Sequence, residues 1–167
     1  MDYYFLPNII TEENCKKLIK RFELEGSLNE ELEIIDYRCG RYDFENSALS
    51  AEMARRTRSS VMDAGLDLKI VGTRWYVSKY WPVTSHITEH VDGNVKIGDL
   101  TSNYTFLLYL NDNFEGGETV ITEDDENPIV VKPKTGSILL IRQDIFHEAW
   151  PCYEGFKYIL RGDIVLE

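Results

Sequence analysis

Apolar residues in the first third of the chain recur at helical spacing. Thr11 stands before Glu12 and Glu13, an N-cap followed by acids in the first turn. Cys15, Leu18, Ile19 and Phe22 then share one face, and Gly26 closes the segment. The pattern predicts an amphipathic helix of about four turns. Ahead of it, Tyr3–Leu6 is a short apolar run stopped by Pro7 and reads as a strand. Residues 32–37 read as a further strand and 40–47 as turn-rich. Residues 50–64 read as a second helix, with Met53, Val61 and Met62 inward and Gly65 at its end. Neither helix carries a reactive group, so both read as support.

From Leu68 the pattern changes. Short β-branched and aromatic runs alternate with turn residues at a spacing of about 8–12, the mark of a sandwich or barrel. The predicted strands are 69–80, 87–92, 104–110, 118–121, 129–131, 137–141, 146–149 and 157–165. This is an α+β chain, mainly β: a double-stranded β-helix core, jelly-roll or cupin-like, with two N-terminal supporting helices. The expected organisation is a single domain over 1–167, with helical support in 1–66 and the core in 67–167. The acidic run Glu123-Asp-Asp-Glu126 reads as a solvated hairpin tip.

Composition narrows the partners. A length of 167 residues fits one domain with a sizeable core. The net charge, 18 − 29 = −11, and the lack of a Lys/Arg cluster near a site disfavour a phosphate backbone, so no nucleic-acid partner is expected. Cys15, Cys39 and Cys152 are widely spaced and read as reduced, buried thiols. The opening Met-Asp-Tyr-Tyr-Phe-Leu-Pro lacks a basic region followed by an apolar core, and no apolar run reaches membrane-spanning length. A soluble, cytoplasmic protein is expected.

Candidate chemistry centres on Ser85-His-Ile-Thr-Glu-His-Val-Asp92. In an extended run His90 and Asp92 share a face while Val91 turns away. They offer two ligands to a borderline or hard divalent metal, which needs a third. His147 stands about 55 residues further on, after Gly136-Ser-Ile-Leu-Leu-Ile141, on another strand of the same barrel. Taken singly, each of these residues suits a surface or hydrogen-bonded core position. Together, two His and one carboxylate on one face of a metal leave adjacent positions open, as in non-haem iron(II) oxygenases.

Further motifs carry a resemblance. Tyr104-Thr-Phe-Leu-Leu-Tyr-Leu-Asn111, Phe114-Glu-Gly-Gly-Glu-Thr119, Lys132-Pro-Lys-Thr-Gly136 and Gly155-Phe-Lys-Tyr-Ile-Leu-Arg161 follow the His-x-Asp pair in order. Over residues 70–166 the chain resembles the prolyl 4-hydroxylase-like 2-oxoglutarate/iron(II) dioxygenases. The resemblance implies iron ligation by His90, Asp92 and His147. It implies a Lys157 contact to the distal carboxylate of 2-oxoglutarate, shared by the Tyr109 hydroxyl, with Thr105 on the same face. Tyr80 would stand near the metal-chelating end. Arg161 shares strand parity with Lys157 and reads as a second anion contact or as a partner for an acid. His86 reads as an outer-mouth or satisfied polar residue, Trp150 as a pocket wall or buried aromatic, and 93–101 as a lid over the mouth. Gly116, Gly117 and Gly136 read as turn formers.

The implied reaction uses iron(II), 2-oxoglutarate and dioxygen, with ascorbate as reductant, to hydroxylate an unactivated C–H bond. Asp92 favours hydroxylation over halogenation, because halogenating relatives have a small residue there. The expected substrate is a prolyl residue of a peptide or protein; the alternative is a free amino acid or other small molecule. Three other classes compete. A cupin-like zinc or manganese enzyme would not need Lys157 and Tyr109 inward, and a non-catalytic binding module would not need all three ligands. A nucleic-acid demethylase of the same superfamily is opposed by the negative net charge and the lack of a Lys/Arg cluster near the mouth.

Overall fold

A computed structural model describes residues 2–26, 28, 32–34, 37–122 and 127–167. Helix α1 (Glu12–Glu25) starts where Thr11 Oγ1 accepts from the Asn14 backbone N–H, and Gly26 ends it. Its buried face is Cys15 and Phe22. Helix α2 (Ser47–Asp63) starts three residues earlier than its apolar spacing suggests, because Asn46 Oδ1 caps the Leu49 N–H. Met53 and Val61 are buried as expected, but Met62 is exposed.

The strands in chain order are β1 (Tyr3–Leu6), β2 (Leu32–Ile34), β3 (Tyr37–Glu45), β4 (Leu68–Val71), β5 (Arg74–Tyr80), β6 (His86–His90), β7 (Lys96–Ile97) and β8 (Leu100–Thr101). After them come β9 (Tyr104–Tyr109), β10 (Glu115–Gly116), β11 (Thr119–Thr122), β12 (Ile129–Val131), β13 (Ile138–Arg142), β14 (Phe146–Ala149), β15 (Cys152–Glu154) and β16 (Lys157–Leu166). The main sheet runs β1-β13-β9-β16-β5-β3-β6-β14-β11-β12, with β2 on β3 and β4 on β16. It curls on itself as a double-stranded β-helix, the expected class. β3 joins its halves by pairing with β5 on one side and β6 on the other.

Two apolar clusters follow from the curl. One fills the space between the broader half of the sheet and the helices, with Phe22, Met53, Val61, Trp75, Phe106 and Leu160. The other lies inside the curl, where Tyr80, Leu107, Tyr109 and Ile159 face Ile121 and Ala149 from the opposite half.

Several sequence expectations need correcting. Residues 40–47 are not turn-rich: most of them belong to β3, where Tyr42 and Phe44 pack into the helix-side cluster. The predicted strand 69–80 is two strands, broken at Gly72-Thr73, where the Gly72 N–H leaves for Asp163 O and the chain steps from one β16 register to another. Residues 35 and 36 of the predicted strand 32–37 and the acidic run 123–126 lie outside the described residues. All three cysteines are free and buried. Among the described residues no helix is long and apolar enough to cross a membrane.

One polar contact in the core ties helix to sheet. Ser50 Oγ of α2 accepts from Trp75 Nε1 at 3.0 Å and lies 2.7 Å from Gly72 O. Trp75 is fully buried, edge-on to Phe106. Ser50→Ala is expected to lower stability by about 1–3 kcal/mol in urea unfolding, since it strands two buried polar groups and removes little apolar area.

Candidate metal centre

The antiparallel register of β14 on β6 sets His147 directly opposite His90, and the two rings lie 4.4 Å apart between centroids. Asp92 sits just past the end of β6. His90 Nε2 is 3.6 Å from Asp92 Oδ1, and His147 Nε2 is 3.5 Å from Asp92 Oδ2. One ligand atom from each of the three lies within 4.8 Å of the others. Ligands at right angles around an ion at about 2.1 Å are about 3 Å apart, so modest closure would complete the grip.

Each imidazole is already oriented for ligation. His90 Nδ1 lies 2.7 Å from Thr88 O, and His147 Nδ1 lies 3.0 Å from Ile145 O. A carbonyl only accepts, so both Nδ1 atoms carry the proton and both Nε2 lone pairs are left for a metal. Burial opposes ionisation of Asp92, but the neighbouring His90, Arg161 and His147 outweigh it and hold its carboxyl well below the usual range. For His90, burial is outweighed by the nearby Asp92 carboxylate and the Thr88 carbonyl, and its value rises. For His147 burial wins and the value falls. The donor set therefore fits a divalent cation.

Asp92 is held by groups that sequence reading assigned elsewhere or missed. Thr105, expected near the co-substrate carboxylate with Tyr109, instead donates to Asp92 Oδ2. Arg161 Nη2 lies 3.2 Å from Asp92 Oδ1 and 3.4 Å from Asp163 Oδ1. The Asp92 N–H donates to Gln143 O. Gln143, 1% exposed, also takes Ser102 Oγ and Asn94 Nδ2 on its side-chain oxygen and gives Nε2 to Asp163. A glutamine in a turn leaves no sequence signal for such a role.

Beside the three ligands opens a cavity of about 310 Å³. Tyr80, Ile87, Leu107, Thr119 and Ile159 supply much of its wall, and Arg41 and Arg161 its basic groups. Lys157 and Tyr109 lie one layer deeper. The Lys157 ammonium sits 4.7 Å from the Tyr80 ring centre and 5.9 Å from that of Tyr109, whose hydroxyl is 2.7 Å from Thr119 Oγ1. Lys157 is 0% exposed and donates to Gly117 O at 2.6 Å. No carboxylate among the described residues lies within ion-pair distance of it. Gly117, at φ +70°, thus supplies more than a turn: a Cβ there would crowd Cys152 Sγ at 2.8 Å.

His86 stays outside the ligand cluster and is bonded to Thr84 O, a satisfied polar residue. Two outer expectations change. Trp150 neither lines the cavity nor is buried; it is 38% exposed, with Nε1 on Glu148. Residues 93–101 form the β7–β8 hairpin, tied to Ser102 and packed by Ile97 against Gly72, and none of them lines the cavity. Arg41, which sequence reading passed over, lines it because β3 is a strand; the alternation Arg41-Tyr42-Asp43-Phe44 was the available signal.

With the geometry described, similarity to known proteins can be placed beside it. The family model of the 2OG-Fe(II) oxygenase superfamily matches residues 75–162. No curated protein sequence matches the chain. Among solved structures, the viral collagen prolyl hydroxylase of Paramecium Bursaria Chlorella virus-1, in its 2OG complex, is similar at TM-score 0.71 and 17% identity, covering 98% of this chain and 96% of that one. A Pseudomonas putida prolyl-4-hydroxylase aligns at TM-score 0.73 and 15% identity, covering 98% and 91%. A Trichoplax adhaerens prolyl hydroxylase, solved with a hypoxia inducible factor oxygen degradation domain peptide fragment, aligns at 0.66 and 17%, covering 98% and 83%. At such identities the structures speak to the fold.

Two outcomes test the site. Metal affinity, measured by titration calorimetry with manganese(II), is expected to fall as pH drops from 7.5 to 6, by about tenfold per unit for each imidazole proton displaced. Lys157 tests the deeper layer. Burial lowers its pKa from 10.5 to about 8. Below pH 8 the folded state bears the whole penalty, about 3 kcal/mol; it fades as pH rises from 8 towards 10.5. Lys157→Met is therefore expected to be more stable than the natural chain by about 1–3 kcal/mol at pH 7 without ligands, after allowing for the lost Gly117 bond. The gain shrinks by pH 10, as urea unfolding at both pH values will read.

Proposed function

The chain belongs to the 2OG-Fe(II) oxygenase superfamily, a 2-oxoglutarate/iron(II)-dependent dioxygenase, and on that premise we propose that it hydroxylates a prolyl residue of a peptide or protein. His90, Asp92 and His147 hold the iron. Lys157 receives the distal carboxylate of 2-oxoglutarate, with Tyr109 beside it and Tyr80 between that group and the metal. The observation that carries this reading is the buried ammonium of Lys157, which has no acid within ion-pair distance among the described residues and lies behind a two-His, one-carboxylate cluster. A cupin-like zinc site needs no such cation. A dicarboxylate that chelates at one end and is neutralised at the other does.

Bound together, iron(II) and 2-oxoglutarate supply the activation of dioxygen and the oxidising power for a C–H bond, with succinate and carbon dioxide as co-products. The chain's part is placement. Thr88 and Ile145 carbonyls fix the two imidazoles, so neither ring must reorient when a metal arrives. Thr105 and Arg161 hold Asp92, which stays ionised through the physiological range. Ile87, Leu107 and Ile159 keep the cavity wall dry, strengthening each polar contact within it. Prolyl hydroxylation is supported by the likeness to three prolyl hydroxylases and by a chelate site that retains its carboxylate.

Turnover of 2-oxoglutarate to succinate should require iron(II), rise with ascorbate present as reductant, and couple to hydroxylation of proline peptides in a mass-spectrometric screen that includes free amino acids and methylated nucleotides. His90→Ala should abolish both products. Succinate formed equally well without iron would end the oxygenase reading, and coupling only to a non-proline class would end the prolyl one.

A further inference from the structure

Arg161 stands between two acids. Its Nη2 lies 3.2 Å from Asp92 Oδ1 and donates to Asp163 Oδ1 at 3.4 Å, and its guanidinium lies 5.2 Å from the centre of the Tyr76 ring. Asp163 is two residues further along β16 and so shares its face. It stands opposite Thr105 in the β9 ladder and also takes Gln143 Nε2 at 2.9 Å. Both carboxylates are nearly buried, and the guanidinium is only 21% exposed, so the three charges act strongly on one another. The two Asp92 oxygens face the imidazoles, Oδ1 3.6 Å from His90 Nε2 and Oδ2 3.5 Å from His147 Nε2. The carboxylate that a metal would take is therefore the one that Arg161 touches.

We infer that Arg161 competes with a divalent metal for Asp92, and that it yields the carboxylate by moving fully onto Asp163. The inference rests on the metal-site reading above and adds a joint role for Arg161 and Asp163 in setting metal affinity. A guanidinium and a divalent cation repel each other, and around one carboxylate withdrawn from water that repulsion opposes metal binding. Asp163 relieves it. Its Oδ1 is already within reach of Arg161 Nη2, so a turn at the end of the side chain transfers the donor from one acid to the other while the strand stays still. The Tyr76 ring supports the guanidinium on the way. Thr105, which donates to Asp92 Oδ2, keeps the ligand in place when Arg161 turns aside.

Calorimetric titration of the full chain with manganese(II), at one pH and without 2-oxoglutarate, reads the competition. Arg161→Gln should bind manganese(II) at least about tenfold tighter than the natural chain, because the rival charge is gone. Arg161→Lys, which keeps that charge, should stay within about threefold of the natural chain. Asp163→Asn leaves Arg161 with Asp92 as its one charged acceptor of the two and should bind at least about fivefold more weakly. That loss should vanish in the Arg161→Gln background, as a double-mutant cycle requires if Asp163 acts through Arg161. Melting temperatures check folding, and the two Arg161 variants decide the matter if Asp163→Asn does not fold. Three results overturn the inference with the metal site left standing: unchanged or weaker binding by Arg161→Gln, equal tightening by Arg161→Lys, or an Asp163→Asn loss that persists without Arg161. No manganese(II) binding by the natural chain, or binding that His90→Ala leaves unchanged, would remove the metal site and the inference together.

Discussion

The candidate site depends on one strand pairing. His147 and His90 face each other only in the observed register of β14 on β6. A slip by one residue would turn every side chain of the strand to the opposite face and take an imidazole out of the cavity. β6 is poorly able to set that register alone, since its contact with β3 is two residue pairs long. The fixed reference is β11, which pairs with β14 over four consecutive positions, from Thr119 opposite Ala149 to Thr122 opposite Phe146. Asp92 lies beyond the ladder and is placed by Gln143 instead. The Asp92 N–H bonds to the Gln143 carbonyl, and the Gln143 side chain bonds to Ser102 just before β9 and to Asp163 late in β16, so the third ligand is referred to the larger half of the sheet. The cluster is therefore assembled from both halves of the curl.

Lys157 shows how such a site opposes the stability of the fold that carries it. Its ammonium lies among Tyr80, Tyr109 and Cys152 with a single carbonyl acceptor, and burial lowers its pKa to about 8. The cost of keeping it charged, about 3 kcal/mol at neutral pH, is a sizeable share of the 5–15 kcal/mol that typical domains have in total. Two aromatic faces recover part of it. The rest is available to any anion that reaches the ammonium, since neutralising a charge already stripped of water needs no further desolvation on the protein's side. Stability withheld from the empty fold becomes affinity for a dicarboxylate.

What sequence could supply was whatever pattern and type determine. The helix caps Thr11 and Gly26, the strands carrying His90, Tyr109, His147 and Lys157, and the order of motifs all follow from local periodicity and residue chemistry. What escaped depends on contacts between distant segments. Gly40 made the start of this segment look like a turn, yet it sits inside β3 because a Cβ there would meet the Leu28 carbonyl at 2.7 Å. Thr105 and Tyr109 share strand parity, but the sheet's curl sends one to Asp92 and the other to Thr119. Parity gives a face; it does not say what stands across from it. Met62 failed for a simpler reason: it lies nine residues, about half a turn round, from Met53, so a helix that buries Met53, Thr57 and Val61 turns it outward.

Net charge illustrates the same limit in electrostatic form. A total of −11 suggests a molecule that repels anions, yet Arg41, Arg74 and Arg161 all stand within 6 Å of the Tyr76 ring centre, and Arg41 and Arg161 line the cavity. Sequence reading found no basic cluster because these residues lie on three strands. At physiological ionic strength surface charges more than about 8 Å apart hardly act on each other, so a small group near this ring meets the arginines together with their own partners Asp43, Asp92 and Asp163, and not the distant acids. A nucleic-acid duplex is different, since it carries a charge about every 1.7 Å along its axis and its footprint would run far past the rim. It would meet the acidic remainder of the surface along most of that length. Arginines gathered round one ring inside an otherwise acidic chain are a distinction that a sum of charges cannot express.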